Sequence, residues 1–188
     1  NVLKSYKAWG DELQIEKLHT WIEDYKLRNQ DKQVGVIMAG NIPMVGFHDL
    51  VCVLLSGNKA KVKLSSDDDV IIPALFKVLV QWEPAFSDRI EFVEKLEDYD
   101  AVIATGSNNT SRYFETYFGN VPNIIRKNRT SVAIVSSDTS KEELTRLGKD
   151  IFDYYGLGCR NVTKVYLESG FVLDDFFGAI YDYNPIIN

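Results

Sequence analysis

The chain has 188 residues, 45% hydrophobic and 26% charged, enough for one ordinary domain, or one domain and part of another, around a real core. Its 21 Lys and Arg against 27 Asp and Glu leave a net charge of −6, so a nucleic-acid or anionic-membrane surface has no global electrostatic support. No apolar run reaches the roughly 18 to 20 residues of a membrane span, and no signal-peptide segment opens the chain. Two cysteines without CxxC spacing argue against zinc and against a disulfide framework, so a reducing cytoplasm is the expected location. Asn1 in place of Met is the start expected of a trimmed or excised piece.

Leu18, Trp21, Ile22 and Tyr25 recur at helical spacing with Glu and Lys between them, which predicts an amphipathic helix. Residues 34–38 (VGVIM) predict a short apolar strand that stops at a turn, Ala39-Gly40-Asn41-Ile42-Pro43, and residues 47–55 a buried helix. That helix carries Cys52 in an apolar run, expected as a buried, inert thiol. After a Gly57-Asn58 turn come a strand over 60–64 and the run Ser65-Ser66-Asp67-Asp68-Asp69. The run predicts a capped, solvated first turn for a helix burying Ile72, Leu75, Phe76 and Leu79. Three consecutive aspartates point in different directions on a helix, so they make a poor metal site.

Strands are predicted over 89–93 and 101–104, the second opening through Thr105-Gly106-Ser107 into a helix with Tyr113, Phe114, Tyr117 and Phe118. Residues 131–135 (SVAIV) form another strand, and Ser140 with Glu143 a capping box for a helix burying Leu144, Leu147, Ile151 and Tyr155. That helix delivers Tyr154-Tyr155-Gly156-Leu157-Gly158-Cys159 to a strand over 164–167, and a last helix follows over 174–181. Alternating strands and helices predict an α/β fold with a Rossmann-like parallel sheet covered on both faces.

Four stretches carry candidate chemistry. Cys159 beside glycines is an approachable nucleophile or simply a turn residue. Asn41, in a tight turn at a strand's C-terminal end, can present its NH2 to a developing oxyanion or merely make the turn. Lys63 ends a strand where doubly wound sheets bind ligands, or is a solvated strand-end lysine. Gly106 and Ser107 at a helix N-terminus can meet a pyrophosphate through backbone N–H groups and a hydroxyl. His19 and His48 lie far in sequence from Cys159, so a Cys–His hydrolase requires the fold to bring one close, and His19 falls on a polar helix face. Arg126, Lys127 and Arg129 form a small basic cluster suited to coenzyme A phosphates or to a surface loop.

Taken in order, these stretches resemble the aldehyde dehydrogenase superfamily over about residues 34–167. Asn41-Ile42-Pro43 is similar to its Asn-x-Pro oxyanion turn, and Gly57-Asn58 through Lys63 to its Gly-Asn-(x)4-Lys cofactor strand. Thr105-Gly106-Ser107 is similar to its phosphate turn, and Gly156-x-x-Cys159 to its nucleophile loop. The wording Gly-Cys-Arg-Asn-Val at 158–162, with Ala-Gly-Asn-Ile-Pro earlier, resembles the acyl-CoA reductase branch that includes the bacterial bioluminescence reductase.

The resemblance implies a nicotinamide-cofactor domain over residues 1–130 and, over 131–188, the opening part of an α/β catalytic domain, incomplete at its C-terminus and homo-oligomeric in the full-length protein. It implies that Cys159 attacks an acyl-CoA thioester, that Asn41 and the Cys159 N–H hold the oxyanion, and that NADPH or NADH reduces the acyl-enzyme to an aldehyde. Lys63 would then hold the adenosine ribose, with Gly106 and Ser107 at the pyrophosphate. Two departures bear on mechanism. Hydrolytic relatives carry Glu-Leu-Gly-Gly-Lys before the strand at 132–135, whereas this chain has Arg126-Lys127-Asn128-Arg129-Thr130 with no carboxylate expected there, which favours reduction over hydrolysis. Ser66 replaces the glutamate that NAD-preferring relatives place three residues after the lysine, which tilts the expectation to NADPH. An acyl-phosphate reductase of the same superfamily and a non-catalytic binding domain remain the alternatives, and the fragment alone is expected to turn over poorly.

Overall fold

The computed structural model describes residues 2–26 and 31–186, so Asn1 lies outside the described residues. The chain forms two compact units, Asn1–Asn128 and Arg129–Asn188.

The first unit opens with helices α1 (Val2–Glu12) and α2 (Ile15–Ile22). They precede strands β1 (Gln33–Ile37), β2 (Lys59–Lys63), β3 (Ile90–Phe92), β4 (Ala101–Thr105) and β5 (Asn123–Arg126) and helices α3 (Phe47–Leu55), α4 (Ile71–Trp82) and α5 (Asn108–Phe118). All strand pairings are parallel, in the order β3-β2-β1-β4-β5. The chain steps outward from β1 through β2 to β3, then crosses back to β4 on the other side of β1. Right-handed crossovers therefore put α3 and α4 on one face and α5 on the other.

Alternation along the strands sorts the core accordingly. Val34, Val36, Ala60 and Val62 pack with Leu50, Val53 and Ile72 on the α3/α4 face, while Val102 and Ala104 pack with Phe118 and Phe114 on the α5 face. Val36, Val62 and Ile72 are at most 2% exposed, and each such side chain contributes about 1.5 to 3 kcal/mol relative to exposure.

In the second unit β6 (Ser131–Val135) pairs parallel with β7 (Val162–Leu167), and α6 (Lys141–Phe152) and α7 (Leu173–Ile180) cover one face. Val135, Leu144, Phe176 and Ala179 form its core. The capping box is present: Ser140 Oγ accepts from the Glu143 N–H, and Glu143 accepts from the Ser140 N–H at 2.9 Å. Those bonds hold the Glu143 carboxyl below its ordinary range.

Several expectations are corrected. α1 was not anticipated; it places Trp9 edge-on against Phe47, with ring centroids 4.8 Å apart. Tyr25 lies beyond the end of α2 and is exposed. Residues 65–69 do not cap α4, whose N-cap is Val70 with no side-chain bond. The Asp68 carboxylate instead accepts the Met44 N–H at 2.8 Å, and Ser65 Oγ accepts the Asp67 N–H. α6 ends at Phe152, and Tyr155, with φ of 58°, is turned outward and 71% exposed. Tyr113 and Tyr117 are also exposed, while Phe114 and Phe118 supply the buried face of α5.

Candidate active site

Register places the ends of three strands side by side: Ile37 stands opposite Lys63 on β2 and opposite Ala104 on β4. The Asn41 turn, Lys63 and the Thr105-Gly106-Ser107 turn therefore share one sheet edge, at the C-terminal ends of parallel strands. The order reverses between β1 and β4, which is the switch point where such sheets open a crevice.

Asn41 is exposed at the tip of its turn. Two residues after Pro43's neighbour Ile42, Met44 takes a positive φ of 61° and is 3% exposed, so the turn is anchored by a buried side chain and by the Asp68 carboxylate on its N–H. Asp68 thus ties the loop after β1 to the loop after β2.

Lys63 and Ser66 line one groove of about 340 Å³ at the ends of β2 and β3, together with Leu64, Asp69, Phe92 and Glu94. Lys63 forms no ion pair among the described residues. Asp69, expected on a solvated first turn, borders this groove instead.

Ser107 caps α5: its Oγ accepts the Thr110 N–H at 3.1 Å and bonds Thr110 Oγ1 at 2.8 Å. The Gly106 N–H donates to the Arg126 carbonyl at 3.1 Å, so it is already committed. Amides of the first turn, at Asn108 and Asn109, are the ones an α-helix leaves without an internal partner. Gly106 is demanded by packing, since a Cβ there would stand 2.9 Å from Phe114 Cε2 and 3.1 Å from Thr110 Cβ.

The basic cluster is largely structural. Arg126 ends β5 and its Nη1 donates to Asp49 Oδ1 at 2.6 Å, while Lys127 pairs with Glu115 at 2.8 Å. A carboxylate does therefore stand beside Arg126, contrary to expectation, but Asp49 is only 6% exposed and held by the guanidinium, which leaves it no freedom as a base. The pair joins the first turn of α3, directly after the Asn41 turn, to β5.

Cys159 lies in the second unit, on the loop between α6 and β7, and is exposed. The loop is built around Asn161, which is 6% exposed and was not anticipated as a functional residue. Its Oδ1 accepts the Gly158 N–H at 2.7 Å, and its Nδ2 donates to the carbonyls of Asp150 at 2.9 Å and Asp153 at 3.0 Å. One buried amide thus closes the end of α6 and fixes the turn bearing the thiol. The capture of those carbonyls accounts for the early end of α6 and for the positive φ values of Tyr154, Tyr155 and Gly156. Gly158 has no room for a side chain, as a Cβ would lie 2.5 Å from Asn161 Oδ1.

Cys52 is half-buried rather than buried, with Sγ 3.8 Å from His48 Nδ1. Burial and the Asp49 charge push its thiol up, which keeps it protonated and unreactive. The His48 ring is tilted by 33° against that of Trp21, with centroids 5.5 Å apart, and His19 is exposed. Among the described residues no group of three or more His, Cys, Asp or Glu could hold a metal ion, and no helix is long and apolar enough to cross a membrane.

The sequence profile of the acyl-CoA reductase (LuxC) family matches residues 23–177, which takes in Asn41, Lys63, Ser107 and Cys159. The chain belongs to the LuxC acyl-CoA reductase family. No curated protein sequence matches it significantly. Solved structures share the fold: a putative aldehyde dehydrogenase from Anabaena variabilis is 22% identical with a TM-score of 0.71, over 80% of this chain and 34% of that one. An NAD-dependent aldehyde dehydrogenase from Sinorhizobium meliloti is 15% identical with a TM-score of 0.71, over 82% and 33%. An indole-3-acetaldehyde dehydrogenase from P. syringae, solved with NAD+, is 17% identical with a TM-score of 0.69, over 83% and 36%. This LuxC-family chain therefore has the aldehyde dehydrogenase fold and spans only about a third of the length of those enzymes.

Proposed function

We propose that the chain belongs to an enzyme that reduces an acyl-CoA thioester to an aldehyde with a reduced nicotinamide nucleotide. The observation that carries this reading is the exposed Cys159 on a loop fixed by a buried asparagine, in a chain of the acyl-CoA reductase family. In this reading the Cys159 thiolate bonds to the acyl carbonyl carbon, the bond from that carbon to the coenzyme A sulfur breaks, and coenzyme A leaves as its thiol after taking a proton. The Cys159 N–H donates to the oxyanion while it exists.

The groove beside Lys63 fits a dinucleotide's adenosine end: a cation with no ion pair among the described residues, a hydroxyl at Ser66 and an apolar wall from Leu64 and Phe92 meet at the ends of parallel strands. Lys63 and Ser66 would hold the ribose, and the first-turn amides of α5, with Gly106 and Ser107 shaping the turn, the pyrophosphate. When bound, the cofactor supplies the hydride that reduces the acyl carbon. Asp49 is locked to Arg126, so it is not free to serve as a base at the end of β5, which fits reduction better than hydrolysis.

The test is to offer an acyl-CoA and the matching acyl phosphate with reduced nicotinamide and follow its absorbance. Oxidation of the cofactor with acyl-CoA is expected, falling at least about a thousandfold in Cys159→Ala. Measured on the full-length protein, turnover on acyl phosphate alone would replace the thioester assignment, and none on either would overturn the reductase reading.

A further inference from the structure

The loop after β1 and the loop after β2 meet at two points. A Cβ on Gly40 would stand 2.5 Å from Ser65 Oγ and 2.7 Å from Ser65 Cβ, so the backbone of the first loop lies directly against a side chain of the second. Further along both loops, the Asp68 carboxylate accepts the Met44 N–H at 2.8 Å. Between these points residues 65–68 are closed on themselves. The Asp67 N–H donates to Ser65 Oγ at 3.4 Å and the Asp68 N–H to the Ser65 carbonyl at 3.2 Å, which makes the segment one turn rather than a slack link. Ser65 and Ser66 line the groove beside Lys63, while Asp68 does not. One turn thus faces the groove at its start and holds the neighbouring loop at its end.

The residue it holds is in a conformation that needs support. Met44 has a φ of 61°, unfavourable for a residue with a side chain and kept only where the surroundings over-determine it. Its side chain is 3% exposed, and the Val45 N–H beside it reaches the Ile42 carbonyl at a long 3.4 Å. Resting on the cofactor assignment above, we propose that Asp68 couples nucleotide binding in the groove to the shape of the turn that carries Asn41. A nucleotide packed against Ser65 and Ser66 fixes the 65–68 turn, and the Asp68 carboxylate then fixes Met44 and the loop around it. The coupling is reciprocal, so the bond to Met44 also prepares the groove for the nucleotide. Asp68 is a positioning residue, acting through the backbone it holds.

The test is hydrogen exchange of the full-length protein with and without saturating NADH and, in parallel, NADPH, for the unsubstituted protein, Asp68→Ala and Asp68→Asn. In the unsubstituted protein nucleotide is expected to slow exchange over 63–66 and, at least about fivefold, over 40–46. Asp68→Ala should keep the protection over 63–66, lose it over 40–46, and bind nucleotide about fivefold more weakly. Asp68→Asn retains an acceptor for the Met44 N–H and should keep both effects. Protection of 40–46 in Asp68→Ala equal to that in the unsubstituted protein would overturn Asp68 as the link. Protection of 63–66 without 40–46 in the unsubstituted protein would overturn the coupling and leave the cofactor groove standing. Protection of neither segment by either nucleotide would overturn the cofactor assignment, and this inference with it.

Discussion

Replacing Asn161 with alanine is expected to cost about 3 kcal/mol of stability in the second unit and to slow acylation of Cys159 at least about tenfold. The side chain is 6% exposed, and the hydrogen bonds it makes are part-buried. Its loss removes the bonds to the Gly158 N–H and to the carbonyls of Asp150 and Asp153, and the turn that carries the thiol loses its tie to the end of α6. Asn161→Asp sharpens the point. It keeps an acceptor for Gly158 but sets a carboxylate against carbonyls that need a donor, so it should fare no better than alanine. Urea unfolding reads the first effect and the rate of acyl transfer to Cys159 the second; an Asn161→Ala protein with unchanged acylation would remove the loop from the mechanism.

Arg126→Ala is expected to destabilise the first unit by about 2 kcal/mol, less than the roughly 3 to 5 kcal/mol of breaking a fully buried pair because the guanidinium is 37% exposed. The damage comes from the partner left behind: Asp49, 8% exposed at its side chain, would keep its charge without a cation. Asp49→Asn on the Arg126→Ala background should therefore recover most of the loss, which thermal unfolding of the single and double variants measures. If the double variant were as unstable as the single, the pair would not be the brace between α3 and β5.

Local signals carried much of this fold. Apolar runs marked β1, β2, β4, β6 and the end of β7, Ser140 and Glu143 marked a helix start that forms as expected, and three separated motifs fell at strand ends that the parallel register brings to one edge. What escaped the sequence was the commitment of polar side chains across distance. Asp49 and Arg126 are 77 positions apart, and nothing in either local pattern couples them. Residues 65–69 have the composition of a cap, yet Asp68 is drawn to the Met44 amide and Asp69 to the groove, a competition visible only once the two loops are adjacent. Asn161 stood in the quoted Gly-Cys-Arg-Asn-Val wording, but as a neighbour of the cysteine; its burial depends on α6 ending where it does. Tyr155 kept the helical period of α6 while lying past its end, because capture of the last carbonyls by Asn161 outweighs one exposed aromatic.

The central claim is that Cys159 accepts an acyl group from coenzyme A. Its most direct test is the intact mass of the protein after exposure to acyl-CoA without reduced nicotinamide, followed by peptide mapping. One acyl group per chain on Cys159, present in Cys52→Ala and absent in Cys159→Ala, is the predicted result. No adduct, or one that persists in Cys159→Ala, would contradict it.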